Sequence, residues 1–490
     1  MNILIASSEV VPFAKTGGLA DVCGALPIEL ARLGHRPIVF LPAYRQVERA
    51  GVPIEPTGIE FSIPIGSRIH VGSLAKSRLP NSDVEVYLVR QAPFFDRAEL
   101  YREHGEDYPD NCERFVFFCR AILESIRLLD LPIDVVHCND WQTGLIPAYL
   151  QLEYRHVPRY AKIASLLTLH NLAYQGSFWH WDMLLTGLDW KHFNWREMEF
   201  FGRLNLLKTG IVFADALTTV SPRYAQEIQM PEHGCGLEGV LRHRSNDLTG
   251  IINGVDTSIW NPAIDPHLPT RYDVSNWQQG KRDCKRALQE ELGLPVSDRP
   301  LIGLIGRLAE QKGWGLIIDV MRTLVARSDV QWAILGTGEP EFHQALGELS
   351  AAHPTKVAAR LQFSDPLAHR IEAGSDLFLM PSRYEPCGLN QLYSLAYGSI
   401  PVVHETGGLA DTIVDLTAAT AADRTATGFR FRDYRSDALL ETLRRAIDIV
   451  IDRPDVRGQL VETGMTRDWS WSRSARDYQT VYERLVARRR

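Results

Sequence analysis

The chain has 490 residues, 45% of them hydrophobic and 23% charged, with a net charge of −7. That balance excludes a disordered or fibrous chain, and a length beyond roughly 250–300 residues implies two domains. No Lys/Arg stripe interleaves with aromatics and no apolar run approaches the roughly 20 residues that span a bilayer, so neither a nucleic acid nor a membrane is an expected partner.

The chain opens on a short apolar strand, residues 2–6, closed by Ser7-Ser8. Lys15-Thr16-Gly17-Gly18 follows, and an apolar-periodic helix runs over 19–33 until Gly34 stops it. Further strands are expected at 37–41, 84–90, 133–138, 163–169, 215–220 and 248–252, with helices at 111–129 and 205–213. The polar stretch 45–115 reads as an irregular insertion around the first sheet. Asn253-Gly254-Val255-Asp256 is a turn and 260–269 is rich in proline, so the domain boundary is expected within 253–275.

In the second half, strands are expected at 300–305, 331–335, 360–363, 376–380 and 400–404. Helices are expected at 281–292, 313–327, 387–397, 408–415 and 437–451. Strands such as Leu301-Ile302-Gly303-Leu304-Ile305 are apolar on both faces, as buried parallel strands are. Arg488-Arg489-Arg490 suits the C-terminal end of a last helix, where cations complement the dipole. The fold class expected is α/β, with two Rossmann-like, doubly wound parallel sheets.

Seven cysteines are scattered without a Cys-x-x-Cys pair, which argues against a disulfide framework or a zinc site. No His-Glu-x-x-His or Asp-x-Asp repeat appears, so no metal site and no cofactor are expected. The first residues form a strand without a basic leader, and a cytoplasmic location is expected.

Ligands of open α/β sheets bind beyond the carboxyl ends of strands. Those ends carry Asn139-Asp140-Trp141, His170-Asn171, Asn253-Gly254, Gly306-Arg307 with Lys312-Gly313, Gly336-Thr337-Gly338-Glu339, and Pro381 to Leu389 with Tyr384-Glu385-Pro386-Cys387-Gly388. Arg307 and Lys312, five residues apart before a helix, suit a pyrophosphate: one as a planar fork, the other as a point charge. Each residue also has a plainer reading. Lys15, Arg307 and Lys312 are then solvated cations, His170 a core residue, Asp140 a helix cap and Glu385 a carboxylate complementing a helix dipole. The Lys15 loop is neither a Walker P-loop nor a dinucleotide fingerprint.

Thr-Gly-Gly-Leu-Ala-Asp occurs twice, at 16–21 and 406–411, each time after an apolar strand. Lys15 precedes the first copy and Glu405 the second. Two related loops facing one cleft are expected to divide labour. The first brings positive charge to a diphosphate, and the second offers only backbone N–H groups, to the distal phosphate.

Read in order from residue 1 to about 475, the Lys15 loop, His137-Cys138-Asn139-Asp140-Trp141, His170 to Gly176, Thr218 to Pro222, Gly250 to Asp256, Gly306-Arg307 with Lys312-Gly313, Pro381 to Leu389 and Thr406-Gly407-Gly408-Leu409 together resemble the bacterial glycogen synthase and plant starch synthase family. The resemblance implies a retaining, metal-independent, ADP-glucose-dependent α-1,4-glucosyltransferase of the GT-B fold, its two domains facing a central cleft. Its substrates would be ADP-glucose and an α-1,4-glucan, either glycogen or a malto-oligosaccharide. It implies a first domain over 1–255 on the acceptor side, a nucleotide-sugar domain over 256–470, and a helix over 471–490 packing back on the first domain.

The catalytic residues so implied are Glu385, His170, Asp140, Arg307 and Lys312. Those implied to bind substrate are Lys15, Gly17, Gly18, Asn253, Tyr384, Cys387, Gly388, Leu389, Asn390, Thr406, Gly407 and Gly408. Arg307 and Lys312 would neutralise the diphosphate, Glu385 would hold hydroxyls of the donor glucose, His170 and Asn253 would contact the sugar near its 6-hydroxyl, and Asp140 would lie near the reacting centre. Two departures stand out. Tyr393 occupies the position where some retaining relatives carry a second glutamate, and Cys138-Asn139 replace a more usual Ala-His. The alternatives are another GT-B nucleotide-sugar transferase, or a non-catalytic protein that binds glucans or nucleotide sugars.

Overall fold

Strands apolar on both faces need helices above and below them, and both halves of the chain are built that way. The computed structural model describes residues 1–489, with Arg490 outside the described residues. The chain divides into two units: Met1–Gly254 with the segment from Trp471 onward, and Val255–Ser470. Among the described residues no helix is long and apolar enough to cross a membrane.

The first unit holds a nine-stranded sheet. Its strands are β1 (Asn2–Ala6), β2 (Arg36–Pro42), β3 (Glu55–Ile65), β4 (Arg68–Arg78), β5 (Glu85–Arg90), β6 (Val135–Asn139), β7 (Ala164–Leu169), β8 (Ala216–Thr219) and β9 (Leu248–Gly250). They lie in the order β9-β8-β7-β6-β1-β2-β5-β4-β3. All pair in parallel except β4, which runs antiparallel to both β3 and β5. The order reverses at β1, which lies between β2 and β6, with Ala6 opposite Cys138. Helices α1 (Gly18–Arg32) and α2 (Asn111–Leu128) bury Leu19, Leu26 and Leu30, and Phe115, Phe118 and Ile122.

The stretch 45–115 corrects the expectation of an irregular insertion. It contains β3 and β4, which extend the sheet as a hairpin. Only one face is covered, so β3 alternates Phe61, Ile63 and Ile65 inward with exposed residues between them. Phe61 packs on Phe117 of α2, ring centroids 6.0 Å apart.

The C-terminal helix, Trp471–Arg489, belongs to this unit and packs on α1. Its buried Tyr482 hydroxyl lies 2.8 Å from His137 Nδ1, and His137 Nε2 lies 2.6 Å from Thr168 Oγ1. Burial pushes the His137 pKa down to about 3, so the ring is neutral, with one hydroxyl partner at each nitrogen. Tyr482→Phe is expected to cost about 1–3 kcal/mol, because it leaves a buried ring nitrogen without its partner. Urea unfolding followed by tryptophan fluorescence checks this; an unchanged midpoint would remove the C-terminal helix from the account of His137.

The second unit is a six-stranded parallel sheet. Its strands are β10 (Leu301–Ile305), β11 (Gln331–Leu335), β12 (Val357–Arg360), β13 (Leu377–Met380), β14 (Ile400–His404) and β15 (Phe429–Phe431). The order is β12-β11-β10-β13-β14-β15, so the reversal falls between β10 and β13. Strand β12 lies before the expected 360–363, because Ala358 and Ala359 pair with Ala333 and Ile334 of β11. Helices that matter below are α3 (Trp314–Arg327), α4 (Asp365–Gly374) and α5 (Asn390–Ala396). Of these α4 is absent from the sequence expectation.

Candidate active site

The second unit concentrates its polar groups where the strand order reverses. The loop after β10 runs from Gly306 to Gly313, and the loop after β13 from Pro381 to Leu389. Adjacent strands bring these loops side by side, and their own bonds stitch them together. Lys312 Nζ donates to Glu385 Oε2 at 2.6 Å, and Ser382 Oγ donates to the same oxygen at 2.9 Å. The Arg383 amide donates to the Gln311 carbonyl at 2.8 Å, Gln311 Nε2 to the Tyr384 carbonyl at 3.2 Å, and Arg383 pairs with Glu310 at 3.1 Å. Glu385 is buried, with 8% of its side chain exposed, and Lys312 retains 24%. A carboxylate so enclosed requires a charged partner.

Arg307 is exposed, and its Nη2 donates to Gln311 Oε1 at 3.2 Å. Its carbonyl accepts from Trp314 Nε1 at 2.8 Å, which ties the loop to the start of α3. Gly388 and Leu389 lead into α5, whose Asn390 side chain donates to the Ile305 carbonyl at 2.9 Å. Gln391 Nε2 donates to the carbonyls of Cys387 and Gly388 at 3.0 and 3.1 Å, holding that turn. Tyr384 sits beside Glu385 in the same loop, half-buried. Tyr393 stands outside this group. It stacks on Trp260, with centroids 3.8 Å apart and planes within 3°.

The second Thr-Gly-Gly copy has a different role from the one expected of it. The Gly408 amide donates to the carbonyls of Glu385 and Pro386 at 3.0 and 3.2 Å, so it is not a spare donor for a phosphate. A Cβ on Gly408 would lie 1.9 Å from the Cys387 carbonyl oxygen, and one on Gly407, where φ is +44°, 2.0 Å from that of Glu385. Both glycines let Thr406 and the chain after β14 pack directly beneath the Glu385 loop. Gly408→Ala is expected to lower stability by about 1–3 kcal/mol and to displace Glu385. Thermal unfolding and steady-state kinetics on the variant check this, and wild-type values in both would contradict the packing role.

In the first unit, the loops after β1 and β6 emerge at the other reversal point. Glu9, 4% exposed, was not singled out from the sequence, yet it shapes the Lys15 loop. Its Oε2 accepts from the amides of Thr16 and Gly17 at 2.5 and 3.1 Å, and its Oε1 from the hydroxyls of Thr16 and Tyr101 at 2.6 and 2.9 Å. The Gly17 amide is thus committed within the protein, which removes it as an anion donor. Gly18 opens α1. Lys15 is half-exposed and pairs with Asp21 at 2.7 Å.

Asp140 has a left-handed backbone, φ +55°, and its Oδ1 accepts from the His170 amide at 2.7 Å. Burial, opposed by hydrogen bonds from the amides of His170 and Asn171 and assisted by the charge of Glu9, pushes its pKa up to about 7. His170 Nε2 lies 2.9 Å from Asn139 Oδ1. Asn139 Nδ2 donates to the Ala6 carbonyl at 3.1 Å, so its oxygen accepts and Nε2 carries the proton. Burial holds the His170 pKa down at about 3, leaving a neutral ring with Nδ1 as an acceptor. Asn253, 5% exposed, has a buried Oδ1 without a hydrogen-bond partner.

In the second unit, a cationic cluster around a caged glutamate suits an anionic leaving group; the first unit, by itself, carries a protonatable aspartate beside a neutral histidine. Comparison with known proteins agrees. Residues 2–243 match the family "Starch synthase catalytic domain" and residues 287–458 the family "Glycosyl transferases group 1". A curated glycogen synthase of Rhodopirellula baltica is 49% identical, over 99% of this chain and 98% of its own. Glycogen synthase 2 of Geobacter sulfurreducens is 44% identical over 100% of both chains. Among solved structures, the catalytic domain of Starch Synthase IV from Arabidopsis thaliana, bound to ADP and acarbose, aligns with a TM-score of 0.90 and 33% identity over 99% of each chain. A sucrose-phosphate synthase from Thermosynechococcus elongatus, with a TM-score of 0.59 and 17% identity over 99% of each chain, shares the fold. The chain belongs to the glycogen synthase and starch synthase family of retaining GT-B glycosyltransferases.

Proposed function

We propose that this enzyme transfers glucose from ADP-glucose to the non-reducing 4-hydroxyl of an α-1,4-glucan, glycogen or a malto-oligosaccharide, with retention of configuration. The observation that carries the reading is the Lys312–Glu385 pair, 2.6 Å apart and held by Ser382 at the strand reversal of the second unit, five residues from Arg307. The Arabidopsis relative's bound ADP and acarbose support it.

Lys312 has three donors, of which Glu385 takes one; the others are available to the diphosphate, and Arg307 adds a planar fork. Glu385, fixed by Lys312 and Ser382, accepts hydroxyls of the donor glucose. The turn at Cys387, Gly388, Leu389 and Asn390, with Tyr384 beside it, binds the distal part of the donor. Thr406, Gly407 and Gly408 support that turn from below. Within the first unit, the substrate-facing groups of this reading are Lys15, Asp140, the acceptor nitrogen of neutral His170, and Asn253, whose unpartnered Oδ1 suits a sugar hydroxyl.

Breaking the C1–O bond leaves an oxocarbenium-like centre and a diphosphate. The acceptor 4-hydroxyl attacks C1 on the face the diphosphate leaves, the new C1–O4 bond forms, and the hydroxyl proton passes to a phosphate oxygen. Glu385 is committed to Lys312 and Ser382, which fits a binding role better than that of a nucleophile. A glucosyl-Asp or glucosyl-Glu adduct trapped with a slow donor would contradict same-face attack. A cytoplasmic setting belongs to the same proposal, supported by seven cysteines that form no disulfide among the described residues.

Incubation with glycogen and either ADP-glucose or UDP-glucose tests the reading through nucleotide release. Glycogen-dependent release of ADP is expected. Release without glycogen would indicate a hydrolase, and no release from either donor would leave only a binding protein.

A further inference from the structure

Helix α4 begins at Asp365, with Ser364 accepting from the Leu367 amide, so Asp365 and His369 lie one turn apart on the same face. His369 is 1% exposed. Its Nδ1 is 2.7 Å from Asp265 Oδ2, and Asp265 is completely buried. The same carboxylate oxygen accepts from the Tyr397 hydroxyl at 2.6 Å, and Oδ1 accepts from the His267 amide at 2.8 Å. A carboxylate only accepts, so His369 Nδ1 donates to Asp265, and Nε2 lies 3.9 Å from Asp365 Oδ2.

That Nε2 is buried and has no hydrogen-bond partner. A buried polar atom left unmet costs about 1–3 kcal/mol, so its surroundings call for an explanation. What surrounds it is a ligand set. Donor atoms of His267, Asp365 and His369 all lie within 4.8 Å of one another. Trp260 stacks on His369, with centroids 3.8 Å apart and planes within 6°, and Tyr393 covers the other face of Trp260 at 3.8 Å. The imidazole is therefore fixed in plane by the stack and in tautomer by Asp265, as a carboxylate fixes a metal-binding histidine.

We propose that His267, Asp365 and His369 form a site for a zinc-class divalent transition-metal ion, outside the residues assigned to glucosyl transfer. Two imidazoles and a carboxylate suit such an ion, with water completing the tetrahedron. Zinc–ligand bonds of about 2.0–2.2 Å place ligand atoms at most roughly 4 Å apart. Asp365, at the exposed start of α4, closes the remaining gap by turning its side chain. The ion would tie the segment that follows Trp260 to α4 and so staple the second unit.

The test uses the full chain, stripped with a chelator and dialysed, and zinc chloride as the probe in calorimetric titration and thermal unfolding. One zinc per chain and a zinc-dependent rise in Tm are expected. Asp365→Asn and His267→Ala should each weaken uptake about tenfold or more and abolish the rise in Tm. Asp365 is exposed and outside the stack, and His267 is only partly buried at its edge, 4.9 Å from His369 by ring centroids, so both variants should fold, which circular dichroism without zinc verifies. Absence of uptake by the wild-type chain, or unchanged uptake in either variant, would overturn the proposal.

Discussion

Lys312→Ala is expected to lower kcat/KM at least about a hundredfold, the loss typical of one preorganised donor at a developing charge. Two effects combine. The proposed diphosphate clamp loses a cation, and Glu385, with 8% of its side chain exposed, loses the partner 2.6 Å away that makes its burial tolerable. Removing one member of a buried pair costs about 3–5 kcal/mol of stability. A second substitution separates the effects. Glu385→Gln in the Lys312→Ala background removes the stranded charge, so most of the stability should return while activity stays low. Arg307→Ala, at an exposed side chain, is expected to lose activity with little change in stability. Near-wild-type turnover in both single cation variants would exclude the clamp.

Asp140→Asn is expected to have the second-largest effect, and pH makes it specific. With a pKa of about 7 against an ordinary 3.8, the native carboxyl keeps a proton that the unfolded chain has already lost. Its favourable contribution to stability is complete below the ordinary value and is lost as pH rises through about 7. Solvent still reaches part of Asp140, so the contribution is on the order of 1–2 kcal/mol. The asparagine keeps an oxygen for the His170 amide and avoids the ionisation, so the variant should gain stability over wild type at pH 8 and not at pH 4. Activity should move the other way. In the role proposed for Asp140, an ionised carboxylate beside a cationic centre aids transfer, so wild-type kcat/KM should rise through pH 7, and the variant should lose both that limb and roughly a hundredfold in rate. Identical pH profiles for the two proteins would remove Asp140 from the reacting centre.

The parallel strands were legible because burial on both faces leaves a continuous apolar run, as in Leu301 to Ile305 and Ile400 to His404. The 55–78 hairpin was not. Its covered face shows only every second residue, and Pro56, Gly58 and Pro64 break the pattern further. Helix α4 was missed because its apolar positions, Leu367, Ala368 and Ile371, are few and are interrupted by His369, Arg370 and Glu372.

The site was legible as residue types at strand ends, and its pairings were not. Lys312 and Glu385 meet because β10 and β13 are neighbours, which sequence distance conceals. The repeated Thr-Gly-Gly suggested two sets of spare amides. In both copies a glycine amide instead bonds inside the protein, to the Glu9 carboxylate in one and to the Glu385 carbonyl in the other. Glu9 carried one available signal, a charged residue three positions after the end of a buried strand. His267 and α4 come from distant segments, so no spacing rule brings out that cluster.

The central claim, retaining transfer between ADP-glucose and an α-1,4-glucan, is tested most directly by following a ¹³C-labelled donor. The enzyme is incubated with ADP-[¹³C]glucose and a malto-oligosaccharide, and the product is read by NMR. The account predicts label in a new α-1,4-linked residue at the non-reducing end. Label in a β-linked residue, in free glucose, or only in unconsumed ADP-glucose would contradict it.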